Sequence, residues 1–184
     1  MLKSIYYYID KFDKDEIDKL NPSISIIYRN YIDKVNIKEI KNLLNCCKTT
    51  NRKVYISNNL KLALKFNFSG IYIPSSNKLL NFKNLTKKKF ELIGSAHNVN
   101  EVIIKEKQGC TTIFLCPVFK TKKNRNFLGI TKFNLIRLYA KKKIIALGGI
   151  NQKNIKKLRL CNVKGVASIS WVKKNGPSIN TGPF

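Results

Sequence analysis

The chain has 184 residues, 43% of them hydrophobic, and its 36 Lys and Arg against 10 Asp and Glu give a formal charge of +26. That length suits one domain with a sizeable core, and no run reaches the ~18–20 apolar residues of a membrane-spanning helix. Only five of the basic residues are arginine (Arg29, Arg52, Arg125, Arg137 and Arg159); arginine is the usual reader of phosphates and bases, so nucleic-acid sequence readout is disfavoured and attraction to small anions favoured.

In chain order, short apolar runs alternate with longer amphipathic ones. SIYYYI (4–9) predicts a first strand, followed by a weak helix candidate, and ISIIY (24–28) predicts a second. NIKEIKNLLNCCK (36–48) predicts a helix with Ile37, Ile40, Leu44 and Cys47 on one face, and Asn36 with Glu39 has the spacing of an N-cap and its N3 partner. KVYIS (53–57) and SGIYI (69–73) predict strands three and four, with another weak helix candidate after the fourth. FELIG (90–94) is the fifth, and NVNEVIIKEK (98–107) repeats the capping device with Asn98 and Glu101. TTIFL (111–115), KIIAL (143–147) and KGVASIS (164–170) complete eight strands. NIKKLRL (154–160) brings Ile155 and Leu158 together on a helix, a last weak candidate follows the eighth strand, and 175–184 reads as a loose tail rich in Gly and Pro.

Most of the strand runs are continuously hydrophobic, as in parallel strands covered on both faces. Eight such units with helical crossovers and no linker predict an α/β fold, a small TIM (β/α)8 barrel with trimmed loops, over residues 1–174. A flavodoxin-like or Rossmann sheet needs fewer strands. The five cysteines lack CxxC spacing and, with a single histidine, form no zinc set. Their odd number without a secretion-type leader reads as a reduced, cytoplasmic protein.

Barrel chemistry sits where strands end, on the C-terminal face. Those ends carry Arg29, Ser57-Asn58, Pro74 to Asn77, Ser95 to His97, Cys116 to Lys122, Gly148-Gly149 and Ser168 to Ser170. This set is polar and cationic, nearly without carboxylates, and suits an anionic ligand. The backbone at Gly148, Gly149, Ile169 and Ser170, after strands seven and eight, predicts a phosphate cradle; a plain turn is the other reading of two glycines at a strand end. Arg29, at the end of an apolar strand, calls for an anionic partner. His97 is a candidate general base and Cys116 a second candidate acid/base, with a turn histidine and a small buried cysteine as the bland alternatives. Lys122 is a candidate screen for phosphate charge, against a solvated loop. Glu101 reads as the capping partner rather than a catalyst.

GSAHNVNE, CPVFKT, LG at 128–129, IIALGGINQKN and GVASIS, in this order and spacing, resemble the thiamine-phosphate synthase/TenI family, and the resemblance continues through YYYID, IYRNY and VYISNNLKLAL. It implies a (β/α)8 barrel working in thiamine biosynthesis, with a thiazole-phosphate site on the strand 7 and 8 loops and ligand contacts at Ser95 and Thr121. One branch joins a pyrimidine diphosphate to the thiazole phosphate with Mg²⁺ holding the diphosphate; the TenI branch aromatises a thiazole carboxylate phosphate by proton transfer. The synthase motif Gln-x-Arg-x-Lys reads Ile27, Arg29 and Tyr31 here, and the two magnesium carboxylates fall on Asn58 and Asn77. The expectation is therefore no cofactor, magnesium included, and a TenI-like, proton-transferring barrel that binds a phosphorylated small molecule. A thiamine-phosphate synthase is the first alternative, and a non-catalytic phosphate-ligand or RNA-binding protein the next. The loop histidine of some tautomerases falls on Pro117, which leaves His97 as the one imidazole. A homo-oligomer is compatible with all of these.

Overall fold

A computed structural model of the chain describes residues 4–30, 36–82, 85, 89–121 and 126–175. Eight parallel strands close into a barrel in sequence order: β1 Ser4–Ile9, β2 Ser25–Tyr28, β3 Val54–Ser57, β4 Gly70–Ile73, β5 Glu91–Ala96, β6 Thr112–Leu115, β7 Lys143–Leu147 and β8 Gly165–Ala167. The helices are α1 Lys14–Asp18, α2 Ile37–Thr49, α3 Leu60–Lys65, α4 Val99–Lys107, α5 Gly129–Leu138 and α6 Ser170–Asn175, with a 3-10 helix over Ile155–Cys161. The (β/α)8 architecture read from the apolar runs is the observed one. The stretch read as a loose tail lies outside the described residues from 176 onward.

Alternation along each strand divides its residues between two packed layers. Tyr6, Tyr8, Ile27, Tyr55, Tyr72, Ile93, Phe114, Ile145 and Ala167 fill the barrel interior. Their neighbours, such as Ile5, Tyr7, Ile9, Ile26, Ile56 and Leu115, face the helices. Burial on both faces is why these strands carry no polar period. The interior is unusually aromatic, and its rings meet edge-on: Tyr6 with Phe114 at 4.9 Å between centroids, Tyr8 with Tyr72 at 5.5 Å, Tyr72 with Phe114 at 5.9 Å. Ala167, small, stands opposite Tyr6 in the β1–β8 register and leaves those rings their room.

Two helices begin where the capping pattern places them. Asn36 accepts from the backbone of Lys38 and Glu39, and Asn98 from that of Glu101. The buried face of α2 is Ile40, Leu43 and Cys47, with Ile37 exposed and Leu44 only half-buried, a rotation from the expected face. NIKKLRL forms a 3-10 helix instead of an α-helix. Ile155, Leu158 and Cys161, spaced by three, are its buried residues, and three residues per turn put them in one row. The eighth strand stops at Ala167 rather than 170, because Ser168 Oγ accepts the Trp171 N–H at 3.2 Å and turns the chain into α6. Between β4 and β5 no helix occurs among the described residues, contrary to the weak expectation there.

Arg52, 7% exposed and two residues before β3, is bound to the connection between α1 and β2. Its guanidinium donates to the carbonyls of Asn21 and Ile24 at 3.1 Å and of Leu20 at 2.9 Å, and more distantly to Ile17 at 3.4 Å. A five-residue helix cannot hold itself in water; these bonds satisfy the carbonyls at the end of α1 and tie it to the start of β3.

Candidate active site

One step above the interior layer, the strand alternation turns Arg29, Ser57, Ser95, Cys116, Leu147 and Ile169 toward the barrel mouth. Five of these are residues singled out from the sequence, Ser57 on β3, Ser95 on β5, and Arg29, Cys116 and Ile169 just past the ends of β2, β6 and β8, so the closed barrel brings them to one rim.

Gly148 and Gly149 follow β7 with φ of 94° and 70°, a left-handed region that side chains rarely adopt. A Cβ on Gly148 would lie 2.7 Å from that of Pro117, and one on Gly149 would lie 2.5 Å from the Lys120 carbonyl oxygen and closer still to that of Phe119. The loop after β6 presses on the glycines through Val118 N–H to Leu147 O, 2.9 Å, and Phe119 N–H to Gly148 O, 3.1 Å. The pair therefore serves a close approach of two backbones. Asn154 Nδ2 donates to Gly149 O at 2.8 Å and fixes the carbonyl side of the turn. Among the described residues, the N–H groups of Gly148 and Gly149 have no acceptor. Beside them, Ile169 and Ser170 form the first turn of α6, whose Lys173 N–H bonds Ile169 O at 3.0 Å. Backbone donors thus gather at the adjacent ends of β7 and β8, where the phosphate cradle was expected.

His97 follows β5 and is half exposed. Its Nδ1 lies 2.9 Å from Glu101 Oε2, which also accepts the His97 N–H at 2.8 Å. Glu101 is both the N3 residue of α4 and the orienting partner of the imidazole; with a proton on Nδ1, the carboxylate leaves Nε2 as the lone-pair nitrogen. Cys116 hangs its N–H on Ala96 O at 3.0 Å, one residue from His97. Burial, aided by the charge of Glu101, pushes its thiol up to about 12, so at neutral pH it is a proton-bearing thiol and not a thiolate. Ser95 is buried, and its Oγ accepts the Ser75 N–H at 3.0 Å, tying β5 to the β4–β5 loop. Arg29 stands 3.4 Å from Asp10 and lays its guanidinium 5.1 Å from the centroid of the Tyr8 ring. Thr121 is half-buried on the loop that meets Gly149. Lys122 lies outside the described residues.

The two residues at the family's magnesium-carboxylate positions, Asn58 and Asn77, meet directly. Asn77 Nδ2 donates to Asn58 Oδ1 at 2.6 Å, and Asn77 Oδ1 accepts the Leu79 N–H at 2.9 Å. Both amide oxygens are thus engaged. Beneath them the Lys105 ammonium, fully buried, donates to the carbonyls of Asn77 at 2.7 Å and Pro74 at 2.8 Å and to Gln108 Oε1 at 2.9 Å. Gln108 Nε2 in turn donates to Asn77 O and Leu79 O. A hard dication wants anionic oxygens; two engaged neutral amides above a buried ammonium are a poor fit. Among the described residues no group of three or more His, Cys, Asp or Glu could hold a metal.

Sequence reading missed Lys105, Gln108, Tyr8 and Tyr72. Lys105 stands three residues after Val102 on the buried face of α4, and that spacing was the available clue. The three consecutive tyrosines of β1 concealed which ones face inward. All five cysteines are unpaired thiols. Among the described residues no helix is long and apolar enough to cross a membrane.

Comparison with known proteins identifies the family. Residues 24–172 match the family described as thiamine monophosphate synthase. A thiamine-phosphate synthase of Prochlorococcus marinus is 32% identical over 143 residues, 76% of this chain and 41% of that protein. That of Methanococcus vannielii is 28% identical over 64% of this chain and 58% of its own length. The chain thus spans between two fifths and three fifths of these curated relatives. The solved thiamine phosphate pyrophosphorylase of Pyrococcus furiosus superposes with a TM-score of 0.76, at 19% identity, covering 94% of this chain and 87% of that one; at that identity the likeness speaks for the fold. With most of its length matched, the chain belongs to the thiamine monophosphate synthase family.

Proposed function

We propose that the chain binds a thiazole phosphate at the joined ends of β7 and β8 and couples it to a pyrimidine diphosphate, the activity for which its curated relatives are named. The observation that carries the binding half is the Gly148-Gly149 turn, whose N–H groups have no acceptor among the described residues and stand beside the first turn of α6. In coupling, the thiazole nitrogen forms a bond to the pyrimidine methylene carbon as the C–O bond to the diphosphate breaks, and the diphosphate leaves with the electron pair. The residues at the metal positions do not fit magnesium, so no step is assigned to it. The leaving charge falls instead to the guanidinium of Arg29, at the end of β2.

A second reading, TenI-like proton transfer, is favoured by two observations: the engaged Asn58–Asn77 pair and the Glu101-oriented imidazole of His97. There His97 Nε2 takes a proton from a carbon of the thiazole ring, the C–H electron pair shifts into the ring, and the proton is returned to the carbon at the far end of the displaced double bond, so that the ring aromatises with no atom gained or lost. One experiment addresses both readings. Thermal unfolding with and without thiazole phosphate should show a rise of several degrees at saturating ligand, unaltered by Mg²⁺; no rise ends the phosphate reading. Thiamine phosphate formed from the two substrates supports coupling. A binding protein that forms none, yet aromatises a thiazole carboxylate phosphate, belongs to the second reading.

A further inference from the structure

Among the described residues Lys105 is the one lysine that is buried. Its ammonium has three N–H donors and meets three oxygens: the carbonyls of Asn77 at 2.7 Å and Pro74 at 2.8 Å, and Gln108 Oε1 at 2.9 Å. All three are neutral. Glu101, one turn earlier on α4, bears on it electrostatically, but that carboxylate is hydrogen-bonded to His97 and Asn98. The β5 strand makes room for the side chain at Gly94, where a Cβ would lie 2.8 Å from Lys105 Cδ. A buried ammonium without a carboxylate partner is costly, and methionine would fill the same space without that cost.

What lies over the ammonium gives its charge a use. The carbonyl it meets at 2.7 Å belongs to Asn77, whose side chain donates to Asn58 Oδ1 at 2.6 Å, so one hydrogen bond connects Lys105 to both of the family's magnesium-carboxylate positions. Two carboxylates with a dication carry no net formal charge. Two amides with an ammonium carry a single positive charge and need no bound ion. In a water-poor interior that charge acts over a longer reach than it would at the surface.

We propose that Lys105 is a built-in cation: from beneath, its ammonium supplies the positive charge that holds the substrate's diphosphate over Asn58 and Asn77, and it keeps divalent metal out of the same place. That the occupant is a diphosphate rests on the coupling reading. Lys105 does not touch the ligand; it is a positioning residue, acting by its field and by ordering the segment around Asn77. A divalent ion, which needs anionic oxygens, meets only neutral amides backed by a like charge.

The test compares wild type, Lys105→Met, Lys105→Gln, Asn58→Asp/Asn77→Asp and that double variant with Lys105→Met added, at pH 7, with inorganic diphosphate and Mn²⁺ as separate probes. Calorimetry in EDTA should show diphosphate binding to the wild type and about tenfold weaker binding to either Lys105 variant; glutamine keeps donors there but not the charge. Mn²⁺, followed by electron paramagnetic resonance, should stay free beside the wild type and bind about tenfold or more tightly to the triple variant than to the double. The opposite signs separate charge from mere support, since a loosened loop weakens both ligands. Diphosphate bound only with Mg²⁺ or not at all, affinity kept by either Lys105 variant, Mn²⁺ bound by the wild type, or Mn²⁺ binding that Lys105→Met fails to strengthen overturns the assignment. Metal-free diphosphate binding with the opposed shifts, but no thiamine phosphate formed from the two substrates, ends the coupling reading and leaves Lys105 as the cation of a diphosphate site.

Discussion

Gly149 carries two constraints that are separable by substitution. Its φ of 70° costs a side chain ~1–2 kcal/mol wherever it occurs. The carbonyls of Phe119 and Lys120 add a steric demand, because backbone oxygen cannot swing aside as a flexible side chain can. Gly129 is the control: its φ is 68°, and nothing lies within 4 Å of a Cβ built there. Gly129→Ala should therefore lose ~1–2 kcal/mol and Gly149→Ala at least ~1 kcal/mol more, both measured by urea unfolding at pH 7. Equal losses would mean that the β6–α5 loop yields freely and that the glycine pair is only a turn. At this scale the sequence was legible where residue type is forced by backbone, as at Gly148 and Gly149. It was illegible at Tyr8, because three consecutive tyrosines reveal nothing about their facing until the barrel register is known. The Asn58 and Asn77 substitutions could be read, but not that the two amides would bond each other.

At the scale of elements, the β4–β5 loop is held from below by α4. Lys105 and Gln108, one turn apart, supply five hydrogen bonds, four to loop carbonyls of Pro74, Asn77 and Leu79 and one to each other. Gly94 makes the space: a Cβ there would sit 2.8 Å from Lys105 Cδ. Burial pushes the ammonium down to about 8, so desolvation offsets much of what its bonds contribute. Replacing a buried charge by an apolar chain of similar volume is often near neutral overall. Lys105→Met should accordingly shift global stability by no more than ~1–2 kcal/mol. Locally it strips Pro74 O and Asn77 O of their charged donor. Amide exchange at Ser75, Asn77 and Leu79 should quicken about tenfold or more, read by hydrogen–deuterium exchange. Unchanged exchange at those amides would show that Gln108 and Ser95 hold the loop unaided. Strand elements were legible because two-sided burial writes itself as uninterrupted apolar runs. This loop was not, since its order comes from a lysine that composition assigns to solvent.

For the whole molecule, charge and burial oppose each other as pH rises. Burial raises Cys47 and Cys161 to about 11 and Cys110 and Cys116 to about 12, each from 9.0. A thiol whose folded value is raised binds its proton more tightly in the native state, so its stabilising contribution is complete below pH 9. That contribution is lost as pH climbs toward the folded value, at up to ~1.4 kcal/mol per pH unit per thiol, less for the shallower two. Lys105 works in the opposite sense, because its lowered value favours folding between about 8 and 10.5 as the amine neutralises. The surface lysines also relieve self-repulsion as they deprotonate, mostly near and above pH 10.4. Between pH 9 and 10 the four thiols therefore outweigh one lysine, and the urea midpoint should fall across that interval. Cys110→Ala supplies the internal check. It loses some stability at pH 8 through the small cavity it leaves, yet its midpoint should decline less steeply from pH 9 to 10 than that of the wild type. Parallel declines in the two proteins would mean that Cys110 ionises as readily folded as unfolded, and that the layer between sheet and helices admits water beside α4.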